Sequence, residues 1–90
     1  MPIQWRSDEP LLRFWEEQGT YHLDVRPLLE EGGRPYSHIM SCVGQIAKGD
    51  VLVIHAPFEP KPLVTQLGKR GLRTECRREG EDHWTLTVFG

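Results

Sequence analysis

Two strand-like runs with one amphipathic stretch between them constrain this chain more than anything else in it. Tyr21-His22-Leu23-Asp24-Val25-Arg26 alternates, with Tyr21, Leu23 and Val25 on one face. That period of two marks a half-buried strand, and Pro27 ends it. Val51-Leu52-Val53-Ile54 is continuously apolar, which suits a central strand covered on one or both faces. Between the two, Pro35 opens a segment whose Tyr36, Ile39, Met40, Val43, Ile46 and Ala47 fall on one helical stripe. Gly49 lies just past its end, and residues 27–34, with Gly32-Gly33, read as the preceding loop. Strand, helix and strand in this order make a right-handed crossover between parallel neighbours.

A second crossover follows. Ala56-Pro57-Phe58-Glu59-Pro60-Lys61-Pro62 leads into a helix carrying Leu63, Val64 and Leu67, stopped by Gly71. Leu72–Arg77 and Trp84–Phe89 alternate around the turn residues 79–82, as a β-hairpin does. Ahead of all this, Ser7 or Asp8 can cap a short helix with Pro10 in its first turn. Leu11, Leu12 and Trp15 lie on its inner face and Gly19 closes it. The expectation is an α/β (α+β) two-layer sandwich, β-α-β-α-β-β with a mixed four-stranded sheet and both main helices on one face. Residues 1–19 form an N-terminal helical extension and residues 20–90 the domain proper.

Ninety residues hold one core and no second domain. A net charge of −2 argues against a binder driven by nucleic-acid phosphates. No apolar run approaches a membrane span, and the first residues lack the blocks of a signal peptide. Two cysteines make no disulfide scaffold, so a reducing cytoplasm is the expected setting.

The segments Leu23-Asp24-Val25-Arg26, the Pro35-opened helix, Phe58-Glu59-Pro60-Lys61-Pro62-Leu63, Arg70-Gly71 and the closing Trp84 strand carry a family likeness. Together they resemble the bacterial domain-of-unknown-function family 2249, of the TusA/SirA-like group of small sulfur-carrier folds. The resemblance covers about residues 21–89 and implies the same sandwich. TusA-like carriers place a Cys-Pro-x-Pro motif at the start of the first helix, where the cysteine carries a persulfide. Here that stretch is Gly32-Gly33-Arg34-Pro35. Pro35 matches the second proline, while Gly32 stands at the place of the cysteine, so the family nucleophile is missing.

Ligand sites of open α/β sheets favour the edge formed by the C-terminal ends of the parallel strands. That edge should gather Arg26, Arg34, Pro35, His38, His55, Phe58, Glu59 and Lys61. His38 and Cys42 stand one helical turn apart and with His55 suggest a metal. However, His38 falls on the wet side of the helix and no further ligand motif completes a set. No metal and no cofactor is therefore expected. Cys42 lies two turns into its helix, beyond the dipole that activates a thiol, and Cys76 reads as a strand residue. Gly68-Lys69-Arg70-Gly71 resembles an RNA clamp but lies between a helix and a strand, where it is a helix stop. The acidic runs Glu16-Glu17, Glu30-Glu31 and Glu79–Asp82 belong to solvated turns. Ile3, Trp5, Phe14 and Trp15 in the lead favour packing on the body or on a second copy, as a homodimer.

The functional expectation is a non-enzymatic cytoplasmic accessory or binding domain, acting through this strand-end edge on a protein partner or small ligand. Neither nucleic acid nor membrane is an expected partner. The alternative is a sulfur-transfer or redox carrier that uses Cys42.

Overall fold

The computed structural model describes residues 11–90. They run β1 (Arg13–Glu17), β2 (Thr20–Asp24), α1 (Arg26–Glu30), α2 (Tyr36–Val43), β3 (Val51–Ala56), α3 (Lys61–Lys69), β4 (Arg73–Gly80) and β5 (His83–Phe89). The strands form one sheet in the order β1-β2-β3-β5-β4. β2 and β3 are parallel, as a strand–helix–strand unit requires. All other neighbours are antiparallel, so β4 runs parallel to β3 with β5 between them.

The sheet has five strands rather than the expected four, because residues 13–17 form a strand where a helix is expected. Arg13–Glu17 is an edge strand paired antiparallel with Thr20–Asp24. The reason is the two-residue loop Gln18-Gly19, where φ is +50° and +82°. Two successive left-handed residues make the hairpin turn whose twist matches the flanking strands. Gly19 is thus a turn residue and not a helix stop. Cross-strand ring contacts reinforce the pairing: Phe14 stacks on Tyr21 at 5.9 Å and Trp15 on His22 at 5.1 Å. The expected caps Ser7 and Asp8, with Pro10, Ile3 and Trp5, lie outside the described residues.

The second correction concerns residues 27–34. The strand stops at Asp24, and Arg26–Glu30 forms the short helix α1 where a loop was expected. Asp24 organises this turn: its carboxylate accepts the Arg26 amide at 3.0 Å and the Arg26 guanidinium at 3.0 and 2.9 Å. Pro27 sits in the first turn, where its missing amide proton is no loss. The helix ends as Gly32 turns left-handed at φ +83° and the Gly33 amide donates to the Leu28 carbonyl at 2.9 Å. A Cβ on Gly33 would run into the Leu28 side chain, so a larger residue there needs Leu28 to move.

α2 is shorter than its apolar stripe. It closes at Val43, leaving Ile46 and Ala47 beyond its end. Its Ile39, Cys42 and Val43 join Leu63 and Leu67 of α3 and Leu28 of α1 in one core. The sheet contributes Tyr21, Leu23, Leu52, Ile54, Leu86 and Val88 to that core. These are alternate residues of β2, β3 and β5, so the helices cover a single face of the sheet. Among the described residues no helix is long and apolar enough to cross a membrane.

Candidate functional site: an imidazole row on the uncovered sheet face

The intervening residues of the same strands point away from the helices. On β2 these are Thr20, His22 and Asp24, on β3 Val51, Val53 and His55, and on β5 His83, Thr85, Thr87 and Phe89. The register places His22 opposite Val53 and His55 opposite Thr85, so the three histidines stand on successive diagonals across three strands. Diagonal neighbours are close enough for long side chains to meet. Here His22 Nδ1 lies 3.0 Å from His55 Nε2, and His55 Nδ1 lies 2.8 Å from His83 Nε2. Trp15 on β1 extends the row, its ring parallel to His22 and 5.6 Å from His55. Glu17 stands 3.9 Å from His22 Nε2.

One proton arrangement satisfies the whole row. His22 keeps its proton on Nε2 towards Glu17, His55 donates from Nε2 to His22 Nδ1, and His83 donates from Nε2 to His55 Nδ1. The opposite direction would turn an unprotonated His22 Nε2 towards the Glu17 carboxylate, so the row is polarised in one sense, towards Glu17. A second proton on its centre is unfavourable. Burial, and after it the neighbouring His83, pushes His55 down to about 4, with Asp24 opposing and His22 and Arg26 adding to the depression. At neutral pH His55 is uncharged, the state in which imidazole nitrogens accept protons or metals.

The row forms one wall of an open depression of about 760 Å³. Glu75, Arg77, Glu79, Thr85 and Thr87 line it beside the histidines. The Thr85 hydroxyl donates to Glu79 Oε1 at 3.3 Å, and Arg77 Nε lies 4.0 Å from the same oxygen.

The strand-end edge chosen from sequence divides into separate places. Pro35 and Phe58 together line an apolar groove of about 250 Å³ with Val25, Tyr36, Ile39 and Leu63. Tyr36 and Phe58 are 51% and 53% exposed there. Arg26 is bound to Asp24, and the pair faces a polar hollow with Arg13, Glu30 and Asp82. The competition at Asp24 is legible: burial would raise its carboxyl, but the hydrogen bonds and charge of Arg26 hold it below the usual range. Glu59 and Lys61 form an exposed pair at 3.9 Å. Arg34 is exposed. His55 alone of the set belongs to the imidazole row.

Cys42 is fully buried at 0% exposure, and burial pushes its thiol up to about 12. It lies in the core under the helices, on the other side of the sheet from His55, so the His38–Cys42–His55 grouping weighed from sequence does not converge. Cys76 is exposed on the edge strand, and its thiol is raised by partial burial and by the charge of Glu59.

Sequence reasoning missed His22 and His83. Their signal was the outward position of a histidine on each of three strands. It becomes visible only when the order β2-β3-β5 is known, because β5 inserts between β3 and β4.

A two-layer α/β domain with helices on one side of its sheet and an imidazole row on the other is the class this geometry defines. Residues 22–89 match the family described as "Uncharacterized conserved protein (DUF2249)", and the chain belongs to that family. The matched span holds all three histidines of the row, whereas Trp15 lies ahead of it. No curated protein and no solved structure matches the chain.

Proposed function

We propose that this chain is a non-enzymatic binding domain whose recognition surface is the uncovered sheet face centred on His55. The observation that carries the reading is the hydrogen-bonded row His22–His55–His83. A solvated sheet face usually carries charged and small polar side chains. This one sets three imidazoles and an indole side by side above a depression rimmed by Glu75, Arg77 and Glu79. The imidazoles bond to one another rather than to a serine or cysteine nucleophile, which supports binding over catalysis. The sulfur-carrier alternative loses support because Gly32 replaces the carrier cysteine and Cys42 has neither exposure nor an available thiolate.

Native mass spectrometry of the chain isolated from its own cells tests the reading. Wild type should carry an added mass, whether ion, small molecule or protein. Val53→Arg or Thr87→Arg, each of which blocks the face, should lose it. Phe58→Asp, in the apolar groove, should keep it. Loss in Phe58→Asp with retention in both face variants would move the binding surface to the groove and end this reading.

A further inference from the structure

Resting on the reading that the uncovered face binds, we propose that it holds one divalent transition-metal ion between His55 Nδ1 and His83 Nε2, with the Glu79 carboxylate as a third ligand. The two nitrogens already face each other at 2.8 Å. Two imidazoles on a tetrahedral ion with bonds of about 2.0–2.1 Å hold their nitrogens roughly 3.3 Å apart. The pair therefore needs to open by about half an ångström, with each ring tilting by roughly 35° so that its lone pair leaves the N–N line and meets the ion. Among the described residues no three ligating groups converge on a point as the chain stands. The cause is His55, which turns one nitrogen to each neighbour. The site thus has two imidazoles in place and recruits its carboxylate from the rim.

Glu79 is suited to that step. It lines the same depression, and Thr85, the register partner of His55, already holds its Oε1. Its side chain is 39% exposed, so it can swing without disturbing the core. Neutral imidazole with a carboxylate and water suits zinc and its neighbours in the first transition row.

The proton count balances, with water carrying the one proton that moves. With the row running towards Glu17, His83 carries its proton on Nε2. Metal binding moves that proton to His83 Nδ1 through solvent and frees the Nε2 lone pair. His55 keeps its Nε2 proton and continues to donate it to His22, whose own Nε2 proton faces Glu17. A metal-bound histidine that donates its other ring proton to a fixed acceptor is the arrangement that orients such ligands. His22 is accordingly a positioning residue and not a ligand. The second gap, between His22 and His55, lies beneath Trp15, which stacks on both rings.

The experiment is a calorimetric titration of the full chain, stripped with EDTA, with Zn2+. One ion per chain is expected. His55→Gln and His83→Gln should each weaken binding by at least about tenfold, and His38→Gln, on α2, should leave it unchanged. His22→Gln should keep the stoichiometry and weaken binding by about 10–100-fold, as outer partners do. Nitrogen-15 NMR should show His83 changing from its Nε2–H to its Nδ1–H form on adding Zn2+. Denaturation midpoints confirm that the variants are folded, and His83→Gln alone decides if His55→Gln is not. No binding at millimolar Zn2+, or equal affinity in wild type and a folded His83→Gln, overturns the proposal. An organic or protein adduct that is lost from the face variants, with no Zn2+ binding, overturns the metal while the binding face stands.

Discussion

On the helix-covered face, Leu23, Leu52, Ile54, Leu86 and Val88 are buried in one apolar cluster. On the uncovered face, the same three strands present His22, Val53, His55, His83, Thr85 and Thr87, and ring contacts with directional hydrogen bonds hold the three histidines. The first face tolerates apolar side chains of about the right volume, because burial and packing are its requirements. The second requires particular atoms at particular distances. Stability should therefore depend mainly on one face and binding on the other.

The sharpest break of that comparison is Leu86→Ala against Thr87→Ala, adjacent residues on opposite faces of β5. Leu86 is fully buried, so its truncation should lower unfolding free energy by about 2–5 kcal/mol. Thr87 should lose less than about 1 kcal/mol. Urea denaturation measures both, and equal losses would show that the uncovered face contributes to the core after all.

A smaller effect is expected where the two faces meet at the end of β2. Asp24→Asn removes the charge from the bidentate pair with Arg26. Because Arg26 is partly exposed, a loss of roughly 1–3 kcal/mol is expected. The carboxyl is held below its unfolded value of 3.8, so its contribution is complete above that pH and disappears as pH falls below it. Asp24→Asn should therefore be most destabilising at neutral pH and converge with wild type in strong acid. A constant difference at every pH would assign the loss to shape rather than charge.

What was legible in the sequence follows the same division. The apolar half of each pattern revealed β2, β3, both main helices and the terminal hairpin, since burial imposes period and spacing on the chain itself. The lead was misread because Leu11, Leu12 and Trp15 fit a helical face, while the deciding signal was the left-handed Gln18-Gly19 turn. Gly32 and Gly33 hid α1 in a similar way, by looking like a loop when they close a helix. Of the residues expected at the site, His55 was singled out, but for a strand-end edge. Its partners come from positions 22 and 83, far apart in the chain, and no local pattern announces a contact set by strand order.

The smallest effect isolates the uncovered face alone. His55 is held down at about 4, below its unfolded value of 6.5. Between those two values the unfolded chain binds more protons at this residue than the folded one does. Stability must then fall as pH drops from about 6.5 towards 4, and this contribution becomes constant below that. The window is separate from that of Asp24, which opens only below 3.8. Solvent reaches the row, so the slope should be shallower than full burial would give. Urea midpoints measured in EDTA from pH 7 to pH 4.5 should decline in wild type and decline less in His55→Gln. Parallel curves would mean that the row accepts a proton as readily folded as unfolded. The imidazoles would then be solvated independently, and the hydrogen-bonded chain that distinguishes this face from the other would not be present in solution.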